Sequence, residues 1–398
     1  MLAPKLRFKE FNDEWKKIKL KKLLKFKNGI NASKESYGHG VKYISVRDIL
    51  NNNYITYDNI KGLVDIDENT LNENAVHYGD IVFQRSSETF EDIGQANVYL
   101  DENKIATFGG FVIRGKKISD YDPIFFNYLL KSPLSRKSII VKGAGAQHYN
   151  ISQEELEKIS LYFPNLYEQQ KIGKFLSVLD KKIELQQRKI EVLKMYKKGL
   201  SDNIYASLKE KIIELNNYAI VQGGFAFKSE LFQKKGKPIV RISNIYNNLV
   251  DLNDLVYYDS SLEIDKKFYV NDSDLLIAMS GATTGKYGIY HNTYPAYLNQ
   301  RVGKIICKKD TILYYPYLYF LFGLTAYEKQ LQSRLIAGAQ PNISPADIET
   351  MKFKFPNINT QKKIADMIIN ITKKISIENK KLDNLNILKQ SLLQQMFI

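Results

Sequence analysis

Cysteine and histidine are nearly missing from this chain. The one cysteine, Cys307, cannot form an internal disulfide, and the four histidines (His39, His77, His148 and His291) are too scattered for a zinc site. Both scarcities exclude a disulfide scaffold and a structural His/Cys metal, and they point to a cytoplasmic protein. Long apolar runs are missing too. The longest, ILYYPYLYFLFGLTAY (residues 312–327), is shorter than the roughly 20 residues that span a bilayer and contains Pro316, so it reads as a domain helix. Its more polar counterpart YDPIFFNYLL (residues 121–130) reads the same way, and the opening MLAPKLRFKEF has no apolar stretch of signal-peptide length.

Catalytic signatures are equally thin. GATTGKY (residues 281–287) resembles a phosphate-binding loop but has three residues between its glycines where four are needed, and Tyr287 stands where a magnesium-binding Ser or Thr belongs. It reads as a surface loop. ENK (residues 102–104) could mimic the acid-x-lysine of a nuclease, yet it lies in a hydrophilic turn without an acidic partner. No Asp/Asn-Pro-Pro-aromatic methyltransferase motif, glycine-rich cofactor loop or recognisable nucleophile motif is present.

What the chain does have is length, positive charge and a duplication. Its 398 residues are enough for two domains. A net charge of +15, with 27 tyrosines, favours a polyanionic partner, nucleic acid before membrane, because Lys and Arg release counterions from phosphates. The abundance of Lys, Asn, Ile and Tyr is also what an AT-rich genome produces, so charge alone does not decide.

The stretch GAGAQHYNIS (143–152) returns as IAGAQPNIS (336–344), each followed at the same distance by Phe-Pro: Phe163-Pro164 and Phe355-Pro356, 192 residues apart. The match extends upstream. IKLKKLLKFKNGI (18–30) answers IELNNYAIVQGGF (213–225), GVKYISVRDI (40–49) answers GKPIVRISNI (236–245), and GDIVFQRSS (79–87) answers SDLLIAMSG (273–281). Two copies of this length indicate a gene duplication, not a solenoid. Short β-rich runs between Gly, Asn and Asp turns, with a few short helices, make each copy an α+β globule.

After each FPN the texture changes to a long helix. Apolar residues recur in the first at Ile172, Leu176, Leu179, Ile183, Ile190, Leu193, Leu200 and Ile204, with Gln186 and Lys197 as polar interruptions. The second runs Ile364, Ile368, Ile371, Ile375, Leu382, Leu385, Leu392 and Met396, with Glu378 and Lys389 in the matching places. Alternating steps of four and three are a heptad seam. An antiparallel pairing that opposes polar to polar sets Gln186 against Lys389 and Lys197 against Glu378. The same register sets Ile183 against Leu392, Ile190 against Leu385, Leu193 against Leu382 and Leu200 against Ile375. The sequence thus predicts an intramolecular antiparallel coiled coil with Lys197 and Glu378 as a register-fixing pair. Two similar globules on such a spacer would be pseudo-two-fold symmetric and suit DNA, with half-sites about one helical turn, roughly 34 Å, or more apart.

This order of motifs, closed by GAQ…NIS…FP and followed by EQQKI (168–172) or TQKKI (360–364), resembles the specificity subunit of type I restriction-modification systems over essentially the whole chain. The opening LRFKEFNDEWKKIKLKKL (6–23) and the repeated GD or SD before an apolar strand are similar to that family too. The resemblance implies two α+β target recognition domains (1–164 and 207–356) and two long spacer helices (165–206 and 357–398). Each domain would read one half of a bipartite, asymmetric site on double-stranded DNA. The helices would set the spacing and dock two methyltransferase subunits, which recruit restriction subunits. It also implies a non-catalytic chain that holds no cofactor, with S-adenosylmethionine, ATP and magnesium on the partner subunits.

The duplication sorts the candidate DNA contacts. Features common to both copies cannot separate two half-sites; Gln147 with Gln340, Asn150 with Asn342 and Ser152 with Ser344 are therefore turn, cap or phosphate residues. Specificity belongs where the copies differ, as in Arg85, Ser86 and Ser87 against Met279, Ser280 and Gly281. Arg bridges guanine O6 and N7 while Gln or Asn pairs with adenine, so Arg47, Arg85, Arg241, Gln300 and Arg301 are candidate base readers, with Asn244, Thr283 and Thr284 as further DNA contacts. Lys142, Lys286 and Arg334 are candidate phosphate contacts. His148 and Tyr149 fill the one-residue insertion in the first closing loop, where Pro341 stands in the second, and could tune that half. Two other readings remain open from the residues: a non-catalytic coiled-coil adaptor, and a stand-alone DNA-modifying enzyme with an unrecognised site.

Overall fold

The computed structural model describes residues 3–145, 148–246, 248–259, 261, 264–335 and 342–398. Backbone contacts divide the chain into two compact units, the first formed by Met1–Arg188 with Lys380–Ile398 and the second by Lys189–Asn379. Both divisions fall inside the two long helices, Leu166–Ser207 of 42 residues and Ile358–Gln395 of 38. At 1.5 Å per residue each helix is roughly 60 Å long. Each unit thus holds the beginning of one long helix and the end of the other.

In the first unit an antiparallel sheet runs in the order Leu24–Asn28, Val112–Lys117, Ile81–Gln84, Ala96–Val98. The second unit repeats its centre: Ala219–Gly223 pairs with Val302–Cys307, which pairs with Leu275–Ala278. Registers match, since Val82 faces Arg114 where Leu276 faces Lys304. Strands 81–84 and 275–278 are buried throughout, as their apolar runs require, and the first ends in the buried Gln84. The GD and SD motifs open these strands. Gly79 (φ +85°) and Ser273 (φ +68°) both take the left-handed conformation, and the following Asp80 and Asp274 accept from the backbone N–H of His77 and Asn271 at 3.0 and 2.8 Å. A smaller ladder ties each globule off beside its long helix, Lys16–Lys19 with Ser160–Phe163 and Ile212–Glu214 with Lys352–Lys354.

The FPN motifs are helix starts. Asn165 accepts from the Glu168 N–H at 2.9 Å and Asn357 from the Thr360 N–H at 3.0 Å. One turn on, buried Gln169 donates to the Pro164 carbonyl at 2.9 Å and accepts from the Asp122 N–H at 3.0 Å. Gln361 does the same with Pro356 and Tyr314, at 2.7 and 2.9 Å. The apolar run at 312–327 forms two helices, not one: Tyr317–Phe322 ends at Gly323, and Thr325–Leu335 begins anew with Thr325 bonded to Asp202. Its counterpart in the first unit is the helix Pro123–Lys131.

Heptad residues serve two purposes. In the first unit Ile172, Leu176, Leu179 and Ile183 join a core with Phe125, Phe163, Leu392 and Met396; in the second, Ile364 and Ile368 join Phe320, Leu321 and Phe353, with Ile204 and Ile371 packed on them. The helix segments within each unit run antiparallel. In the first, Arg7 binds Glu168 while Leu6 donates to the Gln395 carbonyl, and Lys389 meets Asp180 at 2.6 Å. In the second, Lys189 meets Glu378 at 3.1 Å, and Tyr196, Leu200, Met367 and Ile371 line one cleft.

These contacts correct the expected register. Lys389 pairs with Asp180 instead of Gln186, and Glu378 with Lys189 instead of Lys197, a displacement of about one heptad. The same displacement would set Ile183 against Leu385 instead of Leu392, and Leu200 against Ile368 instead of Ile375. A seven-residue seam looks the same after a seven-residue shift, so only the polar positions could discriminate, and Lys389 and Glu378 find partners flanking the seam. Lys197 makes no ion pair among the described residues, and burial lowers its pKa.

In a chain with Cys307 replaced by Ser, cysteines placed at 183 and 385 are expected to crosslink readily on oxidation, and cysteines at 183 and 392 poorly; the reverse would restore the original register.

Candidate nucleic-acid interface

In each unit three segments meet at the open end of the central strand: the strand's own exit, the turn before the last strand, and the closing loop that carries the repeated motif. One backbone frame joins them. In the first unit the Arg85 N–H donates to the Phe111 carbonyl at 2.9 Å, and the Arg85 carbonyl accepts from the Ile151 N–H at 3.0 Å. In the second, the Met279 N–H donates to the Arg301 carbonyl at 2.9 Å, and the Met279 carbonyl accepts from the Ile343 N–H at 2.9 Å. Beside it, Ser86–Ser87 pairs with Tyr149–Asn150, and Ser280 bridges to Asn342. The shared motif is scaffold: the hydroxyls of Ser152 and Ser344 accept from the N–H of Glu155 and Asp347 at 3.2 and 3.1 Å, capping the helices that follow. Asn150 accepts from the Ser86 hydroxyl. Gln147 and Gln340 lie outside the described residues.

Side chains on this frame differ. Arg85 is half-buried with its guanidinium donating to the Gly110 carbonyl at 3.3 Å, while Phe111 on the turn is 68% exposed. In the second unit Met279 is buried, and Gln300 and Arg301 stand exposed on the turn. Ser87 is buried and accepts from the Thr89 N–H. His148 is exposed, and Tyr149 packs edge-on against Phe90 at 5.3 Å between centroids. Met279, Ser280, Gln300, Arg301 and Asn342 surround a cleft of about 250 Å³, and the buried Ser280 hydroxyl has no partner there.

Several expected contacts prove structural. Asn244 is 1% exposed, accepts from the Arg241 N–H at 2.9 Å and donates to the Asp254 carbonyl at 2.9 Å. It is the counterpart of Asp48, which closes the turn at Ser45 in the same way. A side chain with both ends engaged below the surface cannot reach a base. The Arg241 guanidinium is turned to Asp254, at 3.2 Å from its carbonyl and 3.6 Å from its carboxylate. Thr283 donates to the Ile242 carbonyl and Thr284 to that of Gly281, holding the loop 281–287, which runs into the strand Tyr287–Ile289 and not into the helix a phosphate-binding loop needs.

Lys142 lies 3.6 Å from Glu155, and Arg334 donates to the Gln330 and Thr350 carbonyls. The Asp347 carboxyl is held below the usual carboxylate range by the Ser344 hydroxyl and N–H, with a contribution from the Arg334 charge. Lys286 lies over the Tyr246 ring at 5.8 Å. Arg47 is exposed in the first turn of the helix Val46–Asn51. Among the described residues there is no His/Cys/Asp/Glu cluster able to hold a metal and no helix long and apolar enough to cross a membrane.

The model of the type I restriction modification DNA specificity domain family matches this chain twice, over residues 12–195 and 210–386. The chain belongs to that family. The two matches coincide with the duplicated globule and most of the helix that follows each. The type I restriction enzyme MjaVIII specificity subunit of Methanocaldococcus jannaschii is 26% identical over 294 residues, 68% of either chain. The EcoKI specificity subunit of Escherichia coli is 24% identical over 94% of this chain and 84% of its own. A crystal structure of a type I restriction-modification S subunit from M. genitalium has the same fold, with a TM-score of 0.60 at 18% identity over 100% of this chain and 99% of that one. As a type I specificity chain, this protein supplies DNA recognition to a complex with modification and restriction subunits, which carry the catalysis.

Sequence reasoning passed over Phe111 and the two clamping glutamines. Phe111 was readable by laying FGGFV (108–112) over LNQRV (298–302), and Gln169 and Gln361 by their identity in EQQKI and TQKKI. The Arg7–Glu168–Trp15 cluster had no such signal, because Thr360 replaces Glu168 in the second copy.

Replacing Asn244 with Ala is expected to lower the stability of the second unit by about 1–3 kcal/mol in denaturant unfolding, because buried partners are left unmatched, while leaving the preferred DNA sequence unchanged. A changed sequence preference at unchanged stability would return Asn244 to the contact surface.

Proposed function

We propose that each unit reads one half of a bipartite, asymmetric site on double-stranded DNA through its framed segments, and that the two half-sites differ because the side chains on the frame differ. The observation that carries this reading is the frame itself: identical backbone bonds hold Arg85 with Phe111 in one unit and Met279 with Arg301 in the other. A scaffold kept constant while its exposed positions change is what reading two different sequences demands. Of the residues chosen from sequence, Arg47, Arg85, Ser86, His148, Tyr149, Ser280, Lys286, Gln300 and Arg301 stay as contacts in this proposal, and the net charge of +15 supplies the phosphate attraction.

In the same proposal the long helices dock two methyltransferase subunits, and through them restriction subunits, in the cytoplasm. Apolar side chains left exposed along both helices, Val178, Val192 and Met195 on the first and Ile377 and Ile387 on the second, support that role. S-adenosylmethionine, ATP and magnesium would be bound by those partners.

Co-expression with the methyltransferase subunit, followed by mapping of adenine methylation across the host genome, is expected to reveal one bipartite asymmetric motif that disappears when this chain is omitted. A stable complex that adds no motif would overturn the proposal in favour of a protein-only adaptor.

A further inference from the structure

The frame compares two base-reading solutions in one molecule. At the strand exit the first unit has a guanidinium and the second a thioether; on the turn the first has a phenyl ring and the second a guanidinium. The Arg85 guanidinium is already engaged, donating to the Gly110 carbonyl. Most other arginines are engaged likewise: Arg7 by Glu168, Arg114 by the Ala75 carbonyl, Arg136 by three carbonyls, Arg241 by Asp254 and Arg334 by its own helix. Among the described residues only the guanidiniums of Arg47, Arg188 and Arg301 carry no hydrogen bond or ion pair, and of these only Arg301 belongs to the frame.

A second observation at the same place points to a ligand. Ser280, a residue 7% exposed, lines the cleft, and its buried hydroxyl has no hydrogen-bond partner among the described residues. A buried hydroxyl left unmatched costs free energy, so its presence beside an unpaired guanidinium and the Asn342 amide makes a recess with donors waiting for acceptors. At about 250 Å³ it is smaller than the usual small-molecule pocket of roughly 300–1,000 Å³.

We propose that Arg301 selects one G·C base pair in the half-site read by the second unit, donating to guanine O6 and N7, with Ser280 contributing a hydrogen bond to the same pair. At the equivalent place in the first unit Phe111 makes an apolar contact instead, so the two half-sites differ at this position. The inference rests on the reading of each unit as a half-site reader and assigns one residue within it.

The test uses the full chain co-expressed with its methyltransferase subunit and compares methylated motifs for wild type, Arg301→Ala, Arg301→Lys and Ser280→Ala. Recovery of each variant in the complex checks folding, and Arg301 is exposed on a turn. Both Arg301 variants are expected to lose about ten-fold or more of the guanine preference at a single position of one half-site, with the other half-site unchanged. Arg301→Lys keeps the charge and loses the two-pronged geometry, so it should relax the motif as Arg301→Ala does. Ser280→Ala should weaken the preference at the same position by less. An unaltered motif, or methylation reduced evenly across all sequences as a lost phosphate contact would give, overturns the assignment. A wild-type chain that directs no bipartite methylation fails earlier and sinks the half-site reading together with it.

Discussion

Each long helix takes its direction from one buried amide. Gln169 and Gln361 bridge the proline carbonyl that ends the globule and a backbone N–H across it, so the first turn of the helix is bonded to the domain it leaves. The bonds to the proline carbonyls are buried and the amide is held on both sides, a geometry that no swing of the helix would preserve. Everything downstream inherits this constraint. The heptad positions that follow, Ile172 and Leu176 or Ile364 and Ile368, point into the globule because the clamp aims them there. In the first unit a second lock is added, where the fully buried Glu168 is held by Arg7 and by the Trp15 indole N–H. Breaking such a pair leaves a buried charge uncompensated, typically at about 3–5 kcal/mol.

The same economy governs the recognition end. Duplication supplied one frame twice, and its backbone bonds place a strand exit, a turn and a closing loop together without dictating which side chains they carry. Caps at Ser152 and Ser344 engage two hydroxyls common to both copies. The exposed side chains on the frame differ: Phe111 against Arg301, and His148 in the longer closing loop. In the proposed reading, stability and sequence recognition fall to different atoms of the same few residues.

The duplication, the α+β globules and the long helices were legible because each rests on a repeated pattern. Register was not, since a heptad seam is unchanged by a heptad shift and the deciding contacts of Asp180 and Lys189 lie off the seam. Asn244 was misread because its side chain matches the chemistry of base recognition, while burial and the Asp254 carbonyl, invisible in sequence, decide its role. The repeat nonetheless held a hint, for Asn244 aligns with Asp48, an acceptor at the same turn. Phe111 escaped the opposite way: hydrogen-bonding capacity was the criterion, and an exposed ring has none.

The central claim is that the two units read DNA independently from a common frame. Its most direct test is a chimera in which residues 1–164 are replaced by the corresponding part of another type I specificity chain, with methylation mapped in the assembled complex. One half of the methylated motif should change and the other stay as it was. A change in both halves, or in neither, would contradict the account.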